Sequence, residues 1–371
     1  MARPPRILFA GGGTGGHVYP AIAIADAVHR LVPDALIEFA GTRDRMEWMA
    51  VPKAGFTIHP ISISGFHRNQ PLRNLTLPLK VVKSLRESFV LVTTFQPDVA
   101  VGTGGYVSGP VLLAADLKGL PTVIQEQNAY AGITNRLLGR RAVRIHVAFV
   151  EAKDHLPAEK CVYSGNPTRR ELIEADSSEG RARYGVPPNA FVIAVLGGSL
   201  GSRAINEAVA GNIAAMLSDD MTFLIWQCGI QYFEEMRARV NEHPRLRLCA
   251  YIDRMDLTYA AADLVLSRAG AITCSELMVT GTPSVLVPSP NVAEDHQTYN
   301  ARSMAYAGAA IHVPESEVEM RLIDEIDTLR KDRRRLSEMA AEALKVARPD
   351  AARHIAEDIL NVIGYEHAGE A

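Results

Sequence analysis

The chain has 371 residues, 47% of them apolar and 22% charged, with a formal net charge of −3. That length suits two domains with separate cores, and the balance is ordinary for a soluble globular protein. The uncharged run from Val99 to Ala115 is too short to span a bilayer, Ile7-Leu8-Phe9-Ala10 is too short for a signal-peptide core, and the four cysteines lack C-x-x-C spacing, so a membrane span, secretion, a zinc site and a disulfide framework are excluded and a cytoplasmic chain is expected.

Charge is unevenly spread. Residues 1–165 carry 18 Lys+Arg against 12 Asp+Glu, and the remainder of the chain reverses that balance. The basic half could face an anionic partner such as a membrane surface; nothing points to nucleic acid.

In chain order, Arg6–Ala10 reads as an apolar strand running into Gly11-Gly12-Gly13-Thr14-Gly15-Gly16-His17, with a helix from about Pro20 to Leu31. Strands follow at 36–40, 99–101, 122–124, 145–147 and 161–163. Between Arg68 and Val92, basic residues (Arg68, Arg73, Lys80, Lys83, Arg86) alternate with apolar ones. A helix face of Val82, Leu85, Phe89 and Val92 supplies the core there, and Leu75, Leu77 and Leu79 are left over for an anionic membrane surface. Gly165-Asn166-Pro167 marks a crossover between domains.

The second half repeats the plan. Strand 191–196 enters Gly197-Gly198-Ser199-Leu200-Gly201-Ser202 and a helix from about Arg203. Strands are expected at 222–226, 246–248, 264–266, 284–287 and 310–312, and helices at about 272–280, 295–307, 317–346 and 350–363. Alternation of this kind gives parallel sheets covered by helices, so the fold class is α/β with two Rossmann-like domains.

Each glycine turn presents a helix N-terminus, a seat for phosphate or an oxyanion. His17 closes the first turn and titrates near neutral pH, as a general base should. Strand 36–40 ends without the carboxylate that NAD binding needs; Arg43 leaves NADP open as a minority alternative. Gly104, Gly105 and Tyr106 lie in a second glycine-rich turn, where close approach of a substrate is possible. Gln125-Glu126-Gln127-Asn128 ends the next strand, and Glu126 could orient His17 or share its work as base. In Ser267–Glu276 a strand turns at Gly270 into a helix, where Thr273 and Ser275 suit a diphosphate and Glu276 a ribose diol. Arg268 beside it would lack a partner in an apolar core, so an anion is expected there. No Asp-x-Asp occurs, which argues against a protein-held metal on a diphosphate.

Together the motifs GGGTGGH (11–17), GTGGYVSGP (102–110), EQN (126–128), GNPTR (165–169), GGSLGS (197–202), SRAGAITCSE (267–276) and DHQTYNA (295–301) resemble the MurG family of peptidoglycan N-acetylglucosaminyltransferases. The resemblance implies a GT-B fold: residues 1–165 as acceptor and membrane-facing domain, 166–345 as UDP-sugar domain, and 346–371 as a C-terminal helix packing back on the first. It implies inverting transfer from UDP-N-acetylglucosamine to lipid I at the cytoplasmic face of the bacterial inner membrane, with no cofactor and with cell-wall synthesis proteins as potential partners. By position it implies a donor held by Thr14, Gly15, Gly16, Asn128, Arg169, Ser199, Ile252, Arg268, Ala271, Ile272, Thr273, Cys274, Ser275, Glu276 and Gln297, with Gly104, Gly105 and Tyr106 on the acceptor side and His17 or Glu126 as base. Two departures stand out: the family commonly has Gln at Leu200 and His at Gln125. The alternatives are a UDP-sugar epimerase of the same fold, an NADP-dependent oxidoreductase, and a non-catalytic membrane-surface protein.

Overall fold

The structure is a computed structural model that describes residues 3–65, 77–198 and 200–365. The expected roles of Arg68, Arg73, Leu75 and Ser199 fall outside the described residues, as does the side chain of Leu77. The chain divides into two units. The first runs to Pro167 and takes up the chain again at Asp350; the second is Thr168–Pro349.

The first unit is a seven-stranded parallel sheet: β1 (Arg6–Gly11), β2 (Leu36–Gly41), β3 (Thr57–Pro60), β4 (Val99–Gly104), β5 (Thr122–Glu126), β6 (Arg144–Val147) and β7 (Cys161–Tyr163), in the order β3-β2-β1-β4-β5-β6-β7. The second is a six-stranded parallel sheet: β8 (Phe191–Leu196), β9 (Thr222–Gln227), β10 (Leu246–Cys249), β11 (Leu264–Ser267), β12 (Ser284–Leu286) and β13 (Ala310–His312), in the order β10-β9-β8-β11-β12-β13. Central strands such as β4 and β8 are buried at every position, which is why they read as unbroken apolar runs. In each sheet the order reverses at one strand, β1 or β8, and ligands of such folds gather in the crevice at that reversal. The loops leaving β1 and β4, and those leaving β8 and β11, sit at those two points.

Apolar clusters cover both faces of the first sheet. One includes Ile355, Ala356, Ile359 and Leu360 from the terminal helix Ala351–Val362, which lies along helix Gly15–Leu31. Asp358 fixes that helix to β6 through Arg144 at 2.9 Å and His146 at 3.1 Å. The His146 hydrogen bond holds the Asp358 carboxyl below the usual range, against the opposing effect of burial. In the second unit, Trp226 is fully buried and its indole N–H donates to the buried Asn206 at 3.1 Å.

Several elements differ from the sequence reading. The first helix begins at Gly15, a turn before Pro20, so the glycine loop is itself helical at its end. Strand β3, with helices Glu47–Lys53 and Ser108–Leu117, went unanticipated. The stretch 317–346 is two helices, broken at Asp332, whose carboxylate caps the second by accepting from Arg335 N–H at 2.9 Å. Val82 does not belong to the core: it is 68% exposed, beside Leu79 at 74%, while Leu91 and Val92 are buried.

Candidate functional site

In the first unit the two glycine turns are in backbone contact. Gly105 has φ +80°, and any side chain there would run into the backbone of Gly12. Thr103 Oγ1 donates to the His17 carbonyl at 2.8 Å, and Ser108 Oγ donates to the carbonyls of Ala10 and Gly104 at 2.6 and 2.8 Å. Beneath the first turn lies Glu47, fully buried, which the sequence did not reveal. Its carboxylate accepts from Gly13 N–H at 3.1 Å and from the N–H and hydroxyl of Thr42 at 3.1 and 2.7 Å. One amide of the expected oxyanion seat is thus already taken by a protein carboxylate.

His17 lies on the first helical turn with Nδ1 3.1 Å from the Gly12 carbonyl and 3.3 Å from Thr14 Oγ1. A carbonyl only accepts, so this contact places the ring proton on Nδ1 and leaves Nε2 as the basic nitrogen. Tyr106 is half-exposed beside Gly65.

Glu126 is a different kind of residue from His17. It is buried, and its two oxygens accept from Asn128 N–H (2.9 Å), Asn128 Nδ2 (3.2 Å), Gly132 N–H (2.9 Å) and Asn135 Nδ2 (2.8 Å). Four donors from its own loop occupy the carboxylate, so it organises that loop and has no vacant position from which to take a substrate proton. Gln125 joins a buried amide network: its Nε2 donates to Asn166 Oδ1 at 2.8 Å, and it accepts from Gln127 Nε2. Asn166 in turn donates to the Gln127 carbonyl at 3.0 Å.

In the second unit the turn after β8 packs backbone to backbone against the turn after β9. Gly201 has φ +78°, and a side chain there would strike the Cys228 carbonyl. Ser202 caps the next helix by accepting from Ile205 N–H at 3.3 Å, and the side chain of Leu200 points to solvent, 76% exposed. Gln227 donates to the Gly198 carbonyl at 3.0 Å and accepts from Ile252 N–H at 2.8 Å. Of Ile252's two backbone groups, then, only the carbonyl is left to meet a base.

Helix Ala271–Thr280 starts at Gly270, a glycine that brings no side chain of its own to the helix N-terminus, the polarity of which suits an anion. The side chains of this turn are less available than the sequence suggested. Ser275 Oγ donates back to the Ala271 carbonyl at 3.0 Å. Cys274 is fully buried, its N–H bonds the Gly270 carbonyl at 2.9 Å, and burial pushes its thiol up to about 12. Thr273 keeps its hydroxyl by Gly270. One turn on, Glu276 lies 3.6 Å from Arg169 and accepts from the Tyr259 hydroxyl at 3.0 Å. Burial raises the Glu276 carboxyl above its ordinary range, opposed by Arg169 and Tyr259.

Arg268 has an internal anion, contrary to the expectation that it lacks one: it pairs with Glu315 and donates to the Val287 and Pro288 carbonyls at 3.1 and 3.2 Å. It braces the end of β12. Gln297 Oε1 accepts from Ser289 N–H at 2.9 Å, and the buried Asn300 donates to the Ala269 carbonyl at 3.1 Å. Just before them, Glu294 and Asp295 both have positive φ, +56° and +53°, a strained pair of the kind that clusters at functional sites. A cavity of about 670 Å³ opens here, with Asp295, Thr298, Arg302, His312 and Glu315 in its wall. Among the described residues no group of three or more His, Cys, Asp or Glu side chains is placed to hold a metal ion.

Comparison with known proteins adds the following. Residues 7–147 match the glycosyltransferase family 28 N-terminal domain, and residues 192–355 the family's C-terminal domain. A relative from Salinibacter ruber, UDP-N-acetylglucosamine--N-acetylmuramyl-(pentapeptide) pyrophosphoryl-undecaprenol N-acetylglucosamine transferase, is 55% identical over 96% of this chain and 97% of its own. The transferase of the same name from Flavobacterium psychrophilum is 41% identical, over 96% and 98%. The crystal structure of Acinetobacter baumannii MurG matches with a TM-score of 0.78 at 30% identity, covering 96% of this chain and all of that one. The calicheamicin glycosyltransferase CalG4, at 17% identity and a TM-score of 0.69, shares the fold alone.

Proposed function

The chain belongs to glycosyltransferase family 28, and on that premise we propose that it moves N-acetylglucosamine from UDP-N-acetylglucosamine to the C4 hydroxyl of the N-acetylmuramoyl-pentapeptide of lipid I, giving lipid II for peptidoglycan. The observation that carries this reading is the 55% identity, end to end, with a transferase of that name.

The chemistry is an inverting displacement. The acceptor hydroxyl gives its proton to His17 Nε2 as its oxygen attacks the anomeric carbon, and the bond from that carbon to the diphosphate breaks. Supporting His17 in this role is the Gly12 carbonyl contact, which sets the tautomer before substrate arrives. The electron pair departs onto the diphosphate, where the N-terminus of helix Ala271–Thr280 stabilises the growing charge. Glu276 with Arg169 meets the ribose, the Ile252 carbonyl the uracil, and Gln297 the sugar. Thr14, Gly15, Gly16 and Asn128 complete the donor contacts, with Gly104, Gly105 and Tyr106 on the acceptor. The helix N-terminus, rather than a protein-held metal, neutralises the leaving group.

The place of work is the cytoplasmic face of the inner membrane, held peripherally. Among the described residues no helix is long and apolar enough to cross a membrane. What supports surface docking is helix Leu77–Phe95, where Leu79 and Val82 stand exposed among Lys80, Lys83 and Arg86.

The test is turnover of UDP-N-acetylglucosamine with a water-soluble lipid I analogue. Release of UDP and a β-linked disaccharide are expected. Equilibration of the free UDP-sugar without an acceptor would replace this reading with an epimerase, and bleaching of NADPH would replace it with an oxidoreductase.

A further inference from the structure

A buried carboxylate grips a sugar only if its charge and its direction are both fixed, and at Glu276 Arg169 favours the charge while Tyr259 holds the direction. The Tyr259 hydroxyl donates to Glu276 Oε2 at 3.0 Å, while Oε1 lies 3.6 Å from the Arg169 guanidinium. Tyr259 is 2% exposed. Burial first, and the Glu276 charge second, push its phenol well above the ordinary value, so it remains a donor throughout the working pH range. Its helix, Met255–Ala261, packs against helix Ser177–Tyr184, and Thr258 shares a 2.7 Å hydrogen bond with Tyr184 there. The phenol therefore works as a fixed post against one carboxylate oxygen.

We propose that Tyr259 is a positioning residue that sets nucleotide-sugar specificity: by holding Glu276 Oε2 it aims the carboxylate at the vicinal hydroxyls of a ribose, so that the donor site prefers ribonucleoside over 2′-deoxyribonucleoside diphosphates. The inference rests on Glu276 meeting the ribose. A carboxylate accepting from the 2′-hydroxyl gains a charge-assisted bond that a deoxyribose cannot offer, and the gain is kept only if the oxygen is already in place. Without the phenol, Glu276 is left to Arg169, whose side chain is more than half exposed and can draw it outward.

The experiment is calorimetric titration of the full chain with UDP and with 2′-deoxy-UDP, for the unsubstituted protein, Tyr259→Phe and Glu276→Gln. Tyr259→Phe is expected to weaken UDP about tenfold and 2′-deoxy-UDP by less than about twofold, narrowing the preference. The KM for UDP-N-acetylglucosamine should rise in step, with kcat little changed. The ratio compares two ligands on the same folded protein, so a smaller folded fraction does not move it. An unchanged ratio in Tyr259→Phe, whether both affinities fall or neither does, overturns the proposal. Glu276→Gln separates the two layers. If its ratio also stays as in the unsubstituted protein, the ribose reading itself fails. If its ratio narrows while that of Tyr259→Phe does not, only the role of Tyr259 fails.

Discussion

Glu47→Gln strikes the glycine turn from below without altering its shape. The carboxylate accepts three hydrogen bonds, from Gly13 N–H at 3.1 Å and from the Thr42 N–H and hydroxyl at 3.1 and 2.7 Å. Glutamine keeps one oxygen and sets an NH2 where the other stood, so a donor faces either Gly13 N–H or the Thr42 pair. A hydrogen bond to a charged group is worth about 1.5–3 kcal/mol, and a buried donor left without an acceptor costs about 1–3 kcal/mol more. Neighbouring contacts do not add fully, so the expected loss is about 3–5 kcal/mol from the first unit. Urea unfolding checks this, because the two tryptophans, Trp48 and Trp226, fall one in each unit and each reports on its own unit. Gly12, whose carbonyl sets the His17 tautomer, sits against the same carboxylate, so turnover should fall as well. A variant within about 0.5 kcal/mol of the parent would refute the energetic argument. A variant that is destabilised yet turns over normally would refute the link from Glu47 to His17.

Three further outcomes are expected. His17→Ala should reduce turnover by about 10²–10⁴-fold while UDP affinity by calorimetry stays nearly unchanged; normal turnover would remove His17 from the base role. Asp358 has a carboxyl held below the ordinary carboxylate range, chiefly by the His146 hydrogen bond, so the stability it contributes is fully present above that range and is lost as pH falls through the depressed value. Asp358→Asn should therefore be less stable than the parent at pH 7, with the difference fading in acid; a gap that holds constant down to pH 2 would contradict this assignment. The pair Leu79→Asp and Val82→Asp should weaken binding to anionic vesicles by at least about tenfold and leave solution turnover of a soluble acceptor intact. Equal vesicle binding would remove the helix Leu77–Phe95 from the docking surface.

What the sequence made legible was local. The glycine turns announced themselves because a strand end, a tight turn and a helix start must follow one another within a few residues, and both fell where the strand order reverses. What stayed hidden was long-range pairing. Glu47 lies 34 positions from its partner Gly13, and Glu315 meets Arg268 only because β12 and β13 are neighbours. A rule that a buried arginine needs an anion was sound, but it could not say that the protein supplies the anion. Glu126 looked chemically poised because no pattern in one sequence tells that Gly132 and Asn135 fold back onto it. Tyr259 carried no motif at all. Val82 was assigned to the core by spacing together with Val92, yet only Val92 is buried, because the helix turns Ser84, Ser88 and Leu91 inward and leaves Val82 outside.

The terminal helix Ala351–Val362 completes the core of the unit that the chain began. During synthesis, Ile355, Ile359 and Leu360 leave the ribosome only after the whole of Thr168–Pro349 has been made, which at usual elongation rates is a delay on the order of ten seconds or more. For that interval the apolar face of helix Gly15–Leu31 waits uncovered, and the second unit gains its last residue only just before the terminal helix follows. The unit begun first is thus finished last, its core closed only once the terminal helix has been made.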